Sequence, residues 1–185
     1  MHEDIERWDR KYARRTGESL FEPDTVLMQQ PLANAGLALD VGCGRGANTH
    51  YLASLGYDAM GLDCSFEALR QSKSIGDNST AHFAVVDLDG YAMPVARFDL
   101  VVVVKYLNRS LISSIRAAIR PGGLLFYRTF NRRHLQRHAR FNADYVLTPG
   151  ELLRCFDGFE IINQRDSDED SLSYLFARRP LATGA

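Results

Sequence analysis

At 185 residues, 45% of them hydrophobic and 24% charged, the chain is long enough for one globular domain and too short for two of ordinary size. A formal net charge of −1 gives no global attraction to nucleic acid or to an acidic membrane surface. Cys43, Cys64 and Cys155 are odd in number and form no C-x-x-C pair, which argues against a disulfide framework or a metal site and predicts reduced, packed thiols.

No run approaches the roughly eighteen apolar residues of a membrane span; the longest, Leu100 to Val104, covers five. The first fifteen residues carry nine charges and do not resemble a secretory signal. The expectation is a cytoplasmic protein with neither a membrane nor a nucleic-acid partner.

Along the chain, short β-branched runs alternate with helical stretches, the pattern of a parallel sheet flanked by helices. Leu37–Val41 reads as a first strand, followed by a glycine turn and a helix over Ala47–Leu55. Tyr57–Leu62 is a second strand closed by Asp63, and Ser65 can cap a helix running to about Ser74. His82–Val86 is a third strand, ending at Asp87. Phe98–Val104, with four consecutive valines, suits a central strand buried on both faces. Ser110–Ile119 is an amphipathic helix that Pro121-Gly122-Gly123 stops, turning the chain into a fifth strand at Leu124–Phe130. Thr148, with Pro149 next and Glu151 three residues on, predicts a capped helix over Pro149–Phe156. The last two strands, Phe159–Gln164 and Leu172–Ala177, have no helix between them and are most simply an antiparallel hairpin. The loop joining them holds Asp166, Asp168, Glu169 and Asp170 and reads as a solvated turn.

Gly42, Gly44 and Gly46 follow the first strand and open the first helix, where missing Cβ atoms let the backbone turn sharply and let a ligand approach. Gly42-x-Gly44-x-x-Ala47 also satisfies the dinucleotide fingerprint, so NAD or FAD is an alternative at this point. Asp40 argues against them, because a carboxylate ~4 Å from a pyrophosphate charge costs on the order of 4 kcal/mol at an effective dielectric near 20. S-adenosylmethionine (SAM), with an ammonium and a sulfonium against one carboxylate, suits such an acid. Asp63, seventeen residues after Gly46, can accept from ribose hydroxyls of either cofactor. Asp87 could meet an adenine amino group or be an ordinary turn aspartate.

These residues resemble the Rossmann-like, class I SAM-dependent methyltransferases. Leu39-Asp40-Val41-Gly42-Cys43-Gly44-Arg45-Gly46 is similar to their first motif, Asp63 to the acid of the second, Asp87-Leu88 to the adenine-contacting position, and Ile119-Arg120-Pro121-Gly122-Gly123 to their Leu-x-PGG. The resemblance implies a three-layer α/β fold of seven strands, mostly parallel, with an antiparallel strand beside the fifth. It also implies SAM as cofactor, with Cys43, Cys64, Val104 and Lys105 among its neighbours. A narrower resemblance is to small bacterial methyltransferases of the tellurite-resistance type. Trp8-Asp9-Arg10-Lys11-Tyr12 is similar to their W-D-x-R-Y, and Tyr106-Leu107-Asn108-Arg109 to their Y-L-H-R. That implies an N-terminal helical flap (1–35) on a SAM-binding domain (36–185), with Trp8 and Tyr12 closing over the cofactor and Lys11 facing its carboxylate.

In open parallel sheets ligands bind at the carboxyl ends of strands, so Lys105, Tyr106, Arg128, Thr129 and Asn131 are expected near an acceptor. Asn131–Asn142 contains Arg132, Arg133, His134, Arg137, His138 and Arg140 and no acid. It reads either as a solvated helix face or as a lid attracting an anionic or soft small-molecule acceptor. Tyr106, His134 and His138 are the candidate catalytic groups, and Arg128 and Arg140 the candidate substrate contacts. A SAM-binding protein without catalysis and a nucleotide-dependent oxidoreductase are the competing functions.

Overall fold

The computed structural model describes residues 2–14, 22–32, 35–73, 80–166 and 169–181. Ser74 and Asp168, both named above, lie outside these. The described residues hold a seven-stranded α/β sheet, mostly parallel with one reversed strand, as expected. The chain divides into two compact units, Met1–Tyr91 and Ala92–Ala185.

The first unit runs α1 (His2–Ala13), α2 (Thr25–Met28), β1 (Gly36–Val41), α3 (Ala47–Ser54), β2 (Tyr57–Asp63), α4 (Phe66–Ser72) and β3 (Ala81–Val85). Its strands lie in the order β3-β2-β1, all parallel, with Asp40 opposite Gly61 and Asp63 opposite Val85. Residues 38–41 of β1 are all buried, which is why the strand reads as a continuous apolar run apart from Asp40. Ser65 caps α4 as expected, its hydroxyl oxygen accepting from the Ala68 N–H at 3.1 Å. The short α2 escaped the sequence reading. It is held by a cap, Asp24, that accepts from the N–H groups of Val26 and Leu27.

The second unit runs β4 (Phe98–Val104), a 3₁₀ turn (Arg109–Leu111), α5 (Ile112–Ala118), β5 (Ile119–Phe130) and α6 (Arg132–Arg137). A second 3₁₀ turn (Ala143–Tyr145), α7 (Glu151–Cys155), β6 (Glu160–Arg165) and β7 (Leu172–Arg178) complete it. Its strand order is β4-β5-β7-β6; β4 and β5 are parallel, and β7 runs antiparallel to both β5 and β6. The four valines form the carboxyl-terminal half of β4, and Leu100 to Val103 are fully buried.

Several expected boundaries shift, most of all that of β5, which begins at Ile119 rather than Leu124 and runs through Pro121-Gly122-Gly123. The helix after β4 stops at Ala118, because Ile119 already pairs with Phe98 and the register slips before Leu124 meets Leu100. A residue distant in sequence caps this end: the Arg179 guanidinium donates to the carbonyls of Arg116, Ala117 and Ile119, in the stretch where a helix leaves its oxygens open. The predicted helix over Pro149–Phe156 begins only at Glu151, since Gly150 is left-handed with φ 69°. Glu151 still reaches back to the Thr148 N–H at 2.8 Å, so half of the expected capping box forms. Among the described residues no helix is long and apolar enough to cross a membrane.

Candidate functional site

The turn from β1 into α3 places Gly42, Gly44 and Gly46 at φ 68°, 55° and 75°, a conformation side chains with a Cβ rarely adopt. Part of the space they leave is used by the chain itself. A Cβ on Gly44 would lie 2.7 Å from the Tyr12 hydroxyl, and one on Gly46 would run into the Phe83 ring.

Asp40 and Asp63 stand at the carboxyl ends of β1 and β2 on either side of this turn. Asp40 is 1% exposed. Its Oδ2 accepts from the Thr49 hydroxyl at 2.8 Å, and its Oδ1 has no partner among the described residues. Burial, with the Asp63 charge adding to it, pushes its carboxyl up from 3.8 to about 7. Asp63 is also buried and raised by burial, but it is well bonded: Gly44 N–H donates to Oδ2 at 2.8 Å and Ser65 N–H to Oδ1 at 2.9 Å. The acid read as a ribose acceptor thus also braces the glycine turn.

Cys43 is buried and its thiol is pushed well up by burial and then by Asp40. Cys64 is half-buried and pushed up to about 12, again by burial first. Neither is a thiolate near neutral pH, so neither has nucleophilic character. Asp87 is exposed and accepts from the Asp89 N–H at 3.0 Å, as a turn aspartate does, while Leu88 is buried.

On α1, Trp8 and Tyr12 share a face with ring centroids 6.1 Å apart. Lys11, expected to face a cofactor carboxylate, holds its ammonium 3.9 Å from the centroid of the Trp8 ring, an attraction typical of a cation over indole. Asp9, which the sequence reading passed over as part of a motif, ties the helix to α4: the Ser65 hydroxyl donates to its Oδ1 at 2.5 Å and the Glu67 N–H at 3.1 Å.

In the second unit, Val104 is half-buried, and Lys105 follows it exposed and left-handed at φ 56°, its N–H bonded to the Arg128 carbonyl. Tyr106 is half-buried and accepts from the Asn108 amide at 3.5 Å, a long bond. The Arg128 guanidinium lies 3.6 Å from Asp170. Thr129 is fully buried, and Asn131 caps α6 while donating to the Asp170 carbonyl and the Ser173 hydroxyl. Asp166 accepts from the Gly150 N–H and the Ser173 hydroxyl, so the acidic loop is partly a structural tie rather than a purely solvated turn.

His134 and His138 come together, ring centroids 4.3 Å apart, and His134 also packs on Phe130 at 4.2 Å and Phe141 at 4.6 Å. Desolvation, then the His138 charge, lowers the His134 imidazole below its ordinary value, leaving it neutral near pH 7 and able to accept a proton. Arg140 is exposed. Sequence reading gave Arg109 no role, yet it clamps this unit: it donates to both Glu151 oxygens at 2.7 and 3.1 Å and to the carbonyls of Asp144 and Val146. Asp63 bracing the turn and Arg109 bridging to Glu151 left no local signal, because their partners are 19 and 42 residues away.

Residues 38–123 match the family model of a methyltransferase domain. The match takes in Asp40, the glycine turn and Asp63. The ubiquinone biosynthesis O-methyltransferase of Methylobacterium sp. (strain 4-46) is 33% identical over 126 residues, which is 64% of this chain and 50% of that protein. The chain therefore spans about half the length of this curated relative. The crystal structure of a SAM-dependent methyltransferase from Mesorhizobium loti superposes with TM-score 0.69 at 19% identity, covering 83% of this chain and 95% of that one. TehB from Haemophilus influenzae superposes with TM-score 0.66 at 17% identity, covering 95% of this chain and 66% of that one. The fold is the Rossmann-like fold of these methyltransferases.

Proposed function

We propose that the chain is a SAM-dependent methyltransferase acting on a small-molecule acceptor. The observation that carries the reading is Asp40: a fully buried carboxyl group beside three left-handed glycines, with one oxygen lacking a partner among the described residues. A buried acceptor of this kind is costly unless a donor completes it, and a cationic ligand supplies both donor and charge. A pyrophosphate would supply neither. Asp40, Asp63 and the backbone of the glycine turn would hold SAM, with Trp8, Lys11 and Tyr12 of the N-terminal flap (1–35) completing the site. When bound, the cofactor supplies an activated methyl group and a thioether leaving group.

A hydroxyl acceptor needs a base, and His134 is the group we assign, since it is half-buried and stays neutral at pH 7. His138 sets its environment, and Tyr106 is assigned to orient the acceptor. Arg128 and Arg140 are assigned to hold a negative substituent. The relative named as a ubiquinone biosynthesis O-methyltransferase supports oxygen as the accepting atom. The similarity of Trp8 to Tyr12 to the tellurite-resistance type supports keeping soft acceptors in the assay.

The test has two steps. SAM or S-adenosylhomocysteine at 100 times its dissociation constant is expected to stabilise the fold by about 2.7 kcal/mol, with NAD and FAD inert. Stabilisation by NAD without SAM would falsify the reading. Labelled SAM is then offered with phenols, thiols, small carboxylates, selenite and tellurite; transfer only to a protein or nucleic acid refutes a small acceptor, and binding without transfer to any acceptor refutes catalysis.

A further inference from the structure

We infer that Asp9 is a positioning residue that fastens α1 to the cluster setting the glycine turn, so that docking of α1 and the shape of the cofactor end form one unit. The inference rests on the SAM reading above. The glycine turn, the start of α4 and the middle of α1 meet in one chain of bonds. Gly44 N–H donates to Asp63 Oδ2, Ser65 N–H to Asp63 Oδ1, and the Ser65 hydroxyl to Asp9 Oδ1. Asp9 Oδ1 also takes the Glu67 N–H, one of the donors that the start of α4 leaves open, while the Ser65 oxygen takes that of Ala68. The carboxylate of one helix thus completes the cap of another.

One turn further along α1 a second tie forms. The Tyr12 carbonyl accepts from Arg45 Nη2 and from Gln71 Nε2, both at 3.2 Å, and Arg45 belongs to the glycine turn itself. Arg45 Nε donates to Gln71 Oε1 at 2.5 Å and closes the loop. Between the two ties the Tyr12 hydroxyl reaches the face of Gly44. Apolar burial does little of this docking, since Trp8 and Tyr12 are only half-buried and Arg10, Lys11 and Arg14 are exposed. Hydrogen bonds to Asp9 therefore decide whether α1 is seated, and a seated α1 is what presents Trp8 and Tyr12 to the turn.

Trp8, the single tryptophan of the chain, lies next to Asp9 and reports the seating directly by its emission. In Asp9→Ala without cofactor, Trp8 emission is expected to move to the red, and SAM affinity by calorimetry to fall at least tenfold. Asp9→Asn keeps the accepting oxygen and is expected to recover most of both. Ser65→Ala removes one donor and should weaken SAM in the same direction, and combining it with Asp9→Ala should add little, as partners in one bond do. Unshifted Trp8 emission together with parental SAM affinity in Asp9→Ala overturns the inference, and so does full additivity with Ser65→Ala. If Asp9→Ala no longer unfolds cooperatively, Ser65→Ala alone decides: parental emission and affinity there make Asp9 a folding residue. A parent chain that binds no SAM refutes the cofactor reading instead, while the emission shift still tests the seating of α1.

Discussion

Replacing Asp40 by asparagine tests the electrostatics of the glycine turn without reference to any ligand. In the folded chain this carboxyl is raised from 3.8 to about 7, because burial removes its hydration and only Thr49 donates to it. A raised acid binds its proton more tightly in the folded than in the unfolded state. Between the two values the folded state holds the extra proton, so this group lowers stability progressively as pH rises from about 4 to about 7. The full difference corresponds to about 4 kcal/mol, lost by the parent at pH 8 and absent at pH 4. Asparagine cannot ionise and still accepts from Thr49, but it buries an amide N–H pair in place of the unpartnered oxygen, costing about 1–3 kcal/mol at any pH. The variant should therefore be within about 1 kcal/mol of the parent at pH 5, gain on it by about 2–3 kcal/mol as pH rises, and be the more stable protein at pH 8 by roughly 1–3 kcal/mol. Urea unfolding of both proteins at pH 5, 6, 7 and 8, free of ligand, measures this. The repulsion between Asp40 and Asp63 is present only in the parent and is part of the shift being tested. Parallel pH profiles would refute the reasoning. The asparagine variant should also bind SAM more weakly despite its stability at pH 8, the trade expected where a destabilised group serves a ligand.

Four further outcomes follow from particular contacts. Gly44→Ala places a methyl group 2.7 Å from the Tyr12 hydroxyl on a left-handed backbone, so it should lower the thermal midpoint and shift Trp8 emission together; a shift in neither removes the close approach. Arg109→Ala should cost about 1 kcal/mol at pH 7, with the Arg109 charge partly exposed. Hydrogen bonding to Arg109 and Thr148 holds the Glu151 carboxyl below its ordinary value, so its stabilisation is present above that value and should fade as pH drops below it; a pH-independent difference refutes the ion-pair account. His134→Gln should lower kcat on the preferred acceptor by about 10²-fold or more, against a smaller loss for His138→Gln, and parental activity should fall as pH drops through the lowered His134 value; equal small losses would remove the base. Replacing Arg132, Arg133 and Arg137 together by glutamine should raise KM for an anionic acceptor and spare SAM affinity; turnover indifferent to these changes and to added salt returns α6 to a solvated face.

Much of this was written locally in the sequence. Four valines in a row, a glycine turn after an apolar run, and two late strands with no helix between them dictate β4, the β1–α3 turn and the β6–β7 hairpin, since each depends on neighbours a few residues apart. Asp40 and Asp63 could be picked out as acids at strand ends for the same reason. What they do was decided elsewhere. Asp40 became a carboxyl near neutrality because tertiary burial stripped its water, and Asp63 became a brace because Gly44 folds back against it. The end of α5 was legible from Pro121-Gly122-Gly123, but the capping of its open carbonyls by Arg179, whose bonds span about sixty residues, was not. The 56-residue reach from Ser65 to Asp9 is of the same kind. Periodicity and turn chemistry record the dihedral preferences of short segments; a hydrogen bond between side chains far apart in sequence leaves no periodic trace, and only packing brings its donor to its acceptor.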